Sequence, residues 1–187
     1  PIRSRGTIGG SISNADPAAE YPATMLALDA FMVAKSERGE REIGAADFFD
    51  GVLSTSLEAD EILTEVRIPK APANSGSAFI EISRRQGDYA LAGIAAQVTL
   101  DDDENIIGIQ LAACGVGPGP VRLYQVEDSV RGATLTAETL SKAKEAASAA
   151  VDPEGDVHAT AAYRRKLTGV MTERALRKAV LRAVGKK

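Results

Sequence analysis

Several residue types that carry chemistry are scarce in this chain. Its 187 residues include one cysteine, one histidine and no tryptophan. A single cysteine, Cys114, excludes an internal disulfide and any metal cluster held by several cysteines of this chain. It fits a reducing, cytoplasmic compartment. Its place in the apolar run 109–114 predicts a buried strand thiol and not a nucleophile.

Long apolar runs and a basic surface with stacking aromatics are also missing. No stretch of about 18 apolar residues occurs, so no membrane-spanning helix is expected. The last 29 residues hold nine Lys or Arg and one acid, Glu173, but no set of aromatic side chains accompanies these charges. We therefore expect a solvated or subunit-facing helix here and no nucleic-acid partner.

Groups for acid–base, nucleophilic or metal catalysis are few. The chain has no Ser-His-Asp spacing and no cluster of metal ligands, and His158 falls at the expected entry to the last helix, where a capping or surface role is typical. A protein with so few groups of its own generally takes its chemistry from a cofactor and supplies position and electrostatics.

A glycine-rich stretch, RGTIGGS at residues 5–11, is the most distinctive feature of the sequence. Gly9 and Gly10 permit a sharp turn and let backbone N–H groups approach an anion, and hydroxyl residues flank them. We predict a loop that could hold a phosphate or pyrophosphate. A plain tight turn has the same composition and stays open as an alternative, because neither the P-loop nor the dinucleotide-binding spacing is present.

A helix is predicted directly after this stretch. Asp16 provides a capping side chain and Pro17 suits the first helical position, so we expect a helix over residues 18–30.

Later segments predict an α+β chain. Apolar alternation favours strands at 31–34, 41–43, 61–69, 78–82, 91–100 and 106–113. Helices are expected over 45–49, over 121–130, from a cap at Thr136 through Ala147, and over 159–184. Both phenylalanines of the first of these helices are expected in the core. The buried stripe of the last helix should carry Tyr163, Leu167, Val170 and Met171. A connector at residues 70–76, rich in Pro, Asn, Ser and Gly, predicts a boundary that separates residues 1–72 from 73–187.

Four blocks of sequence together resemble the FAD-binding medium subunit of the carbon monoxide dehydrogenase and xanthine dehydrogenase (molybdenum hydroxylase) family. They are RSRGTIGGS at 3–11 with DPAAE at 16–20, EIL at 61–63 with IP at 68–69, SRRQGDYA at 83–90, and AYRR at 162–165. Because they follow the family's order over nearly the whole chain, they are more specific than any single motif.

The resemblance implies a subunit of an oxidoreductase that is not active alone. In this family a large subunit with a molybdenum cofactor hydroxylates the substrate and a small subunit carries two [2Fe-2S] clusters. The medium subunit uses FAD to collect electrons for an acceptor. The resemblance implies that the first part of the chain is the second half of a flavin-binding domain. The patterns of the second part predict a small α+β domain of three antiparallel strands and three helices.

The resemblance also assigns FAD-binding residues by position. It implies contacts to the FAD diphosphate from Thr7, Ile8, Gly9, Gly10 and Ser11. It places Glu20 near the ribose or adenine side, Leu63 at the isoalloxazine edge and Tyr89 near the flavin ring. Each residue alone has a simpler interpretation as turn, helix start or core.

Family members have a preceding half of the flavin domain with its own glycine-rich motif, and this sequence starts after that point. We therefore expect half of a flavin site, completed by the missing N-terminal half and used beside the large and small subunits. The alternative is an interaction module that docks on these partner subunits and binds no flavin.

Overall fold

The computed structural model describes residues 4–185. Arg3, with which the flavin-like motif begins, lies outside the described residues, as do the last two lysines. The helices are α1 (Ile8–Asn14), α2 (Glu20–Ala27), α3 (Ala45–Phe48), α4 (Tyr124–Val130), α5 (Ala137–Ala149) and α6 (Ala161–Val184). The strands are β1 (Phe31–Ser36), β2 (Gly39–Gly44), β3 (Phe49–Gly51), β4 (Ser54–Thr55), β5 (Ile62–Arg67), β6 (Ser75–Ile82), β7 (Ala92–Leu100), β8 (Ile106–Cys114) and β9 (Val121–Arg122). The α+β class is confirmed.

The first part of the chain forms an antiparallel sheet with strand order β2-β1-β5, and β3 and β4 pair separately. Met32 and Ala34 of the central strand are fully buried on the core side. On the opposite side, the buried Val33 lies between Glu42 and Glu65 in the register, and Arg67 pairs with both carboxylates. Phe48 is buried as expected, whereas Phe49 is only half-buried.

The second part contains a sheet of order β6-β7-β8-β9, so it has four strands where the sequence predicted three. The fourth strand is the two-residue β9, which takes the start of the helix predicted over 121–130. Helix α6 lies against β6 and β7 and packs on α5. The approach is close: a Cβ placed on Gly76 would come within 2.1 Å of the carbonyl oxygen of Ala179.

Two hydrophobic clusters fill the interior. The first lies between the second sheet and helices α4 to α6. The second, which we call the junction cluster, joins Ile12 of α1, the buried face of α2, and Met32 and Ala34 of β1 to Ala95, Ala112 and Cys114 on the outer face of the second sheet. The junction cluster contains residues from both sides of the predicted boundary between residues 72 and 73. The division of the chain into two domains at this boundary stays a prediction.

The predicted helix over residues 18–30 is wrong at both ends. Helix α2 starts at Glu20 and stops at Ala27. Asp16 instead closes a turn, since its Oδ1 accepts from Ala18 N at 2.9 Å and its carbonyl accepts from Ala19 N at 3.0 Å.

The buried stripe of α6 also differs from the prediction. Leu167 and Met171 are buried as expected, but Tyr163 is 44% exposed and its neighbour Arg164 is buried. Thr136 and Thr160 cap α5 and α6 through their side chains. Within residues 4–185, no helix combines the length and the apolarity needed to cross a bilayer.

Candidate functional site

The glycine pair lies in a short helix and not in the loop that the sequence predicted. Thr7 is the N-cap of α1, and its Oγ1 accepts from Gly10 N at 3.0 Å. The carbonyl of Thr7 accepts from Ser11 N at 3.0 Å. The helix forms despite two poor helix formers because the cap stabilises its first turn and the fully buried Ile12 anchors it.

The surface at the start of α1 is open above the glycines. A Cβ placed on Gly9 would meet no atom within 4 Å, whereas one on Gly10 would lie 2.8 Å from Thr7 Oγ1. The N–H groups of Ile8 and Gly9, in the first turn, have no acceptor within the helix itself. A group with negative charge can therefore approach this backbone directly at Gly9.

Glu20 lies at the start of the next helix and is half-buried. Helix α1 packs against α2, so Glu20 and the glycine pair belong to neighbouring elements. Burial, followed by the charges of Glu81 and Glu20, raises the pKa of the Cys114 thiol at the end of β8 to about 12. Glu20 is thus a half-buried carboxylate whose charge acts on a neutral, buried thiol.

Leu63 and Tyr89 lie on two further segments that border the junction cluster. Leu63 pairs with Ala34 in the first sheet and packs against the junction cluster, and its strand β5 contacts α1. Tyr89 lies in the loop between β6 and β7 and is 62% exposed, while its neighbour Ala90 is buried in the junction cluster. The cluster therefore anchors the segments that carry the predicted residues, and it leaves the Tyr89 ring in solvent.

One functional candidate was missed by the sequence reasoning. The Arg164 guanidinium donates from Nη1 to the carbonyls of Leu91 at 2.7 Å and Gly115 at 2.9 Å. It donates from Nη2 to Asp156 Oδ2 at 2.7 Å. We call this arrangement the Arg164 clamp. The only signal in the sequence was the AYRR block of the family resemblance, while helical spacing wrongly placed the neighbouring Tyr163 in the buried stripe.

A shallow surface depression of about 320 Å³ lies at the start of α6, lined by Asp156, Val157, His158, Ala159, Thr160 and Tyr163. None of the eight predicted flavin residues lines it. Among the described residues, no group of three or more His, Cys, Asp or Glu side chains is placed to hold a metal ion.

Two protein-family models match the chain. Residues 1–71 match the FAD binding domain in molybdopterin dehydrogenase, and residues 77–179 match the CO dehydrogenase flavoprotein C-terminal domain.

Individual proteins agree with these matches. The alpha subunit of the 6-hydroxypseudooxynicotine dehydrogenase complex of Paenarthrobacter nicotinovorans is 41% identical over 97% of this chain and 62% of its own length. The beta subunit of caffeine dehydrogenase from Pseudomonas sp. (strain CBB1) is 39% identical, over 98% of this chain and 62% of its own. A structure of carbon monoxide dehydrogenase from Hydrogenophaga pseudoflava superposes with a TM-score of 0.93 at 34% identity, over 97% of this chain and 63% of the other.

The chain therefore spans somewhat less than two thirds of the length of these relatives. The matched models account for both parts of the fold, and the structural superposition covers nearly all of it. These matches confirm the resemblance seen in the sequence: the chain belongs to the family of FAD-binding medium subunits of molybdenum hydroxylases, of the carbon monoxide dehydrogenase type.

Proposed function

We propose that this chain forms one wall of an FAD site in a molybdenum hydroxylase and is the electron-transfer subunit of that complex. The observation that carries the proposal is the open backbone at Gly9, within a segment that matches an FAD-binding domain. The relatives that share this segment are named as subunits of dehydrogenases. The remainder of the flavin site, the large molybdenum subunit and the small iron–sulfur subunit are proposed partners, and a cytoplasmic location fits the single free thiol.

The residues present fit the diphosphate of FAD at the start of α1. Thr7 and Ser11 provide hydroxyls, Ile8 and Gly9 provide first-turn N–H groups, and the absence of a side chain at Gly9 leaves room for phosphate oxygens. Gly10 serves a different purpose, because its N–H is already bound to Thr7 Oγ1 and a Cβ there would press on that hydroxyl.

The other predicted residues fit distinct parts of the cofactor. The half-exposed carboxylate of Glu20 can accept hydrogen bonds from ribose hydroxyls. Leu63 offers an apolar contact for the isoalloxazine edge, and the exposed ring of Tyr89 offers a face that can cover the flavin. The chemistry that bound FAD supplies is the collection of electrons from the [2Fe-2S] clusters of a partner and their delivery to an acceptor.

The test compares three forms of this chain in the complete complex: the parent, Gly9→Ala and Ser13→Ala. The alanine at residue 9 places one methyl group in the open space and should leave the fold intact. We expect bound flavin, seen as absorption near roughly 370 and 450 nm, in the parent and in Ser13→Ala, which changes an exposed residue of the same helix. In Gly9→Ala the FAD dissociation constant should rise at least about tenfold, while the flavin-free chain should be no less stable than the parent.

Two results would count against the proposal. A parent complex that binds no flavin would favour the interaction module that docks partner subunits. A Gly9→Ala complex with the parent's FAD affinity would show that the diphosphate lies elsewhere.

A further inference from the structure

Two of the segments proposed to contact FAD are joined by one buried side chain. The peptide of Gly115 donates from its nitrogen to the carbonyl of Pro17 at 2.7 Å and accepts at its own oxygen from Arg164. The same Nη1 of Arg164 holds the carbonyl of Leu91. Pro17 lies three residues before Glu20, and Leu91 lies two residues after Tyr89.

The Arg164 clamp is built to be rigid. Arg164 is 8% exposed, and its guanidinium donates hydrogen bonds to two backbone carbonyls and one carboxylate. Its carboxylate partner is itself fixed, because Asp156 Oδ1 accepts from the nitrogens of His158 at 2.8 Å and Ala159 at 2.9 Å. These two N–H groups, with a smaller contribution from Arg164, hold the pKa of Asp156 below its usual value, so the carboxylate stays charged.

The backbone at Gly115 leaves little freedom for the clamp to rearrange. Gly115 has a φ of +75°, and a Cβ there would lie 2.7 Å from the carbonyl oxygen of Ala90. The loop after β8 therefore lies directly against the peptide that joins Ala90 and Leu91, one residue after Tyr89. A shift of the guanidinium would move the Pro17 segment and the Tyr89 loop relative to each other.

We propose that Arg164 is a positioning residue for the flavin site: through Gly115 and Leu91 it sets the distance between the Glu20 segment and the Tyr89 loop. This inference rests on the proposed function, since the separation matters only if both segments contact one cofactor. The Arg164 side chain itself acts through these backbone groups.

The experiment uses the complete complex with Arg164→Lys, Asp156→Asn and Arg165→Lys. Lysine keeps the charge but cannot present the fork of donors that spans two carbonyls and a carboxylate. Asparagine at 156 retains an oxygen for the two backbone N–H groups and removes the acceptor for Arg164. Arg165 is the matched control, because it is the next residue of the same helix and bonds instead to Val151 and Asp152.

The readouts are the visible circular dichroism of bound FAD, the quenching of its fluorescence by iodide, and the FAD dissociation constant. For Arg164→Lys we expect an altered dichroism spectrum and at least about a tenfold rise in the dissociation constant. Asp156→Asn should change the dichroism spectrum and the dissociation constant in the same direction as Arg164→Lys, but by a smaller amount. Arg165→Lys should match the parent in both measurements. These signals report the cofactor's surroundings and would not follow from a merely lower melting temperature.

The outcomes separate this inference from the proposed function. A parent complex without flavin removes the proposed function and this inference with it. A parent that binds FAD, together with an Arg164→Lys complex of unchanged dichroism and affinity, overturns the positioning role alone. If Arg164→Lys does not fold, Asp156→Asn provides the test. A dichroism spectrum of bound FAD in Asp156→Asn that is identical to that of the parent would then overturn the inference.

Discussion

The guanidinium of Arg122 donates to the carboxylate of Asp29 at 2.6 Å, which ties strand β9 to the residue that follows α2 by two positions. The same group donates to the carbonyl of Leu26 at 3.0 Å and to the carboxylate of Glu127. Glu127 is 3% exposed and also accepts from Leu111 N at 2.8 Å. A buried carboxylate of helix α4, which packs against β8, thus depends on an arginine that also holds the first part of the chain.

Replacing Arg122 should therefore destabilise the folded chain. In Arg122→Met the Glu127 carboxylate would stay buried without its cation, and we expect the free energy of unfolding to fall by about 3 kcal/mol. Urea unfolding of the chain measures it. Asp29→Asn is the control, since Asp29 is largely exposed and asparagine tolerates its positive φ of 48°. Asp29→Asn should lower the free energy of unfolding by less than about 1 kcal/mol. Equal decreases in the two variants would contradict the dependence of Glu127 on Arg122.

The ion pair between Arg41 and Glu61 predicts a dependence of stability on pH. Arg41 donates to both carboxylate oxygens of Glu61, at 2.7 and 2.8 Å, and Glu58 N donates to one of them at 2.8 Å. The Arg41 hydrogen bonds, followed by that from Glu58, lower the pKa of Glu61 from 4.5 to about 2. The folded state therefore favours the ionised carboxylate more strongly than the unfolded chain does.

The stabilisation is fully present above the unfolded pKa and is lost as the pH falls from about 4.5 towards 2. We expect Glu61→Gln to melt below the parent at pH 7, with a difference that shrinks across this range. Thermal melts at a series of pH values measure the difference. In an Arg41→Gln background the same substitution should depend less on pH, because only the hydrogen bond from Glu58 N remains. A difference in melting temperature that stays constant down to pH 2 would rule out the Arg41–Glu61 ion pair as its source.

The thiol of Cys114 should be inert in the folded chain. It is fully buried in the junction cluster, and its pKa of about 12 leaves almost no thiolate at neutral pH. We expect no labelling by an aromatic disulfide reagent under native conditions and one equivalent after unfolding in guanidinium chloride. Stoichiometric labelling of the native chain within minutes would mean that the junction cluster opens far more often than its packing suggests.

The sequence predicted the larger features of the fold because they depend on strong local patterns. The long apolar strands β7 and β8, the Thr136 cap of α5 and the extent of α6 all follow from alternation or capping within a few residues. The family was recognisable because its motifs occur in order along the chain, and the family models confirm it.

The parts that the sequence did not predict depend on long-range contacts. Glycine propensity argues against a helix at Gly9 and Gly10, and the burial of Ile12 between segments distant in sequence outweighs it. Helical periodicity placed Tyr163 inside α6. The structure buries Arg164 instead, because two carbonyls and a carboxylate from other loops meet at its guanidinium. The eight predicted flavin residues remain predictions until a cofactor is measured.

Two helical glycines should respond in opposite ways to alanine. In α6, a Cβ on Gly169 would lie 2.4 Å from Ser148 Oγ and 2.6 Å from the carbonyl oxygen of Lys144, so α5 and α6 would have to move apart. We expect Gly169→Ala to lower the free energy of unfolding by about 1 to 3 kcal/mol, although alanine is the better helix former. Gly9→Ala meets open space and should leave stability unchanged or raise it by up to about 1 kcal/mol.

Urea unfolding of the two variants under the same conditions provides the comparison. Opposite signs would show that the spacing between α5 and α6 is fixed by a missing side chain, while the glycine at residue 9 is not required by the fold. A glycine that the fold does not require, at a surface open to a ligand, is the kind expected where a ligand needs the space. A Gly9→Ala chain that is markedly destabilised would instead mean that Gly9 is needed for the structure of α1, and a loss of flavin in that variant would then carry no weight.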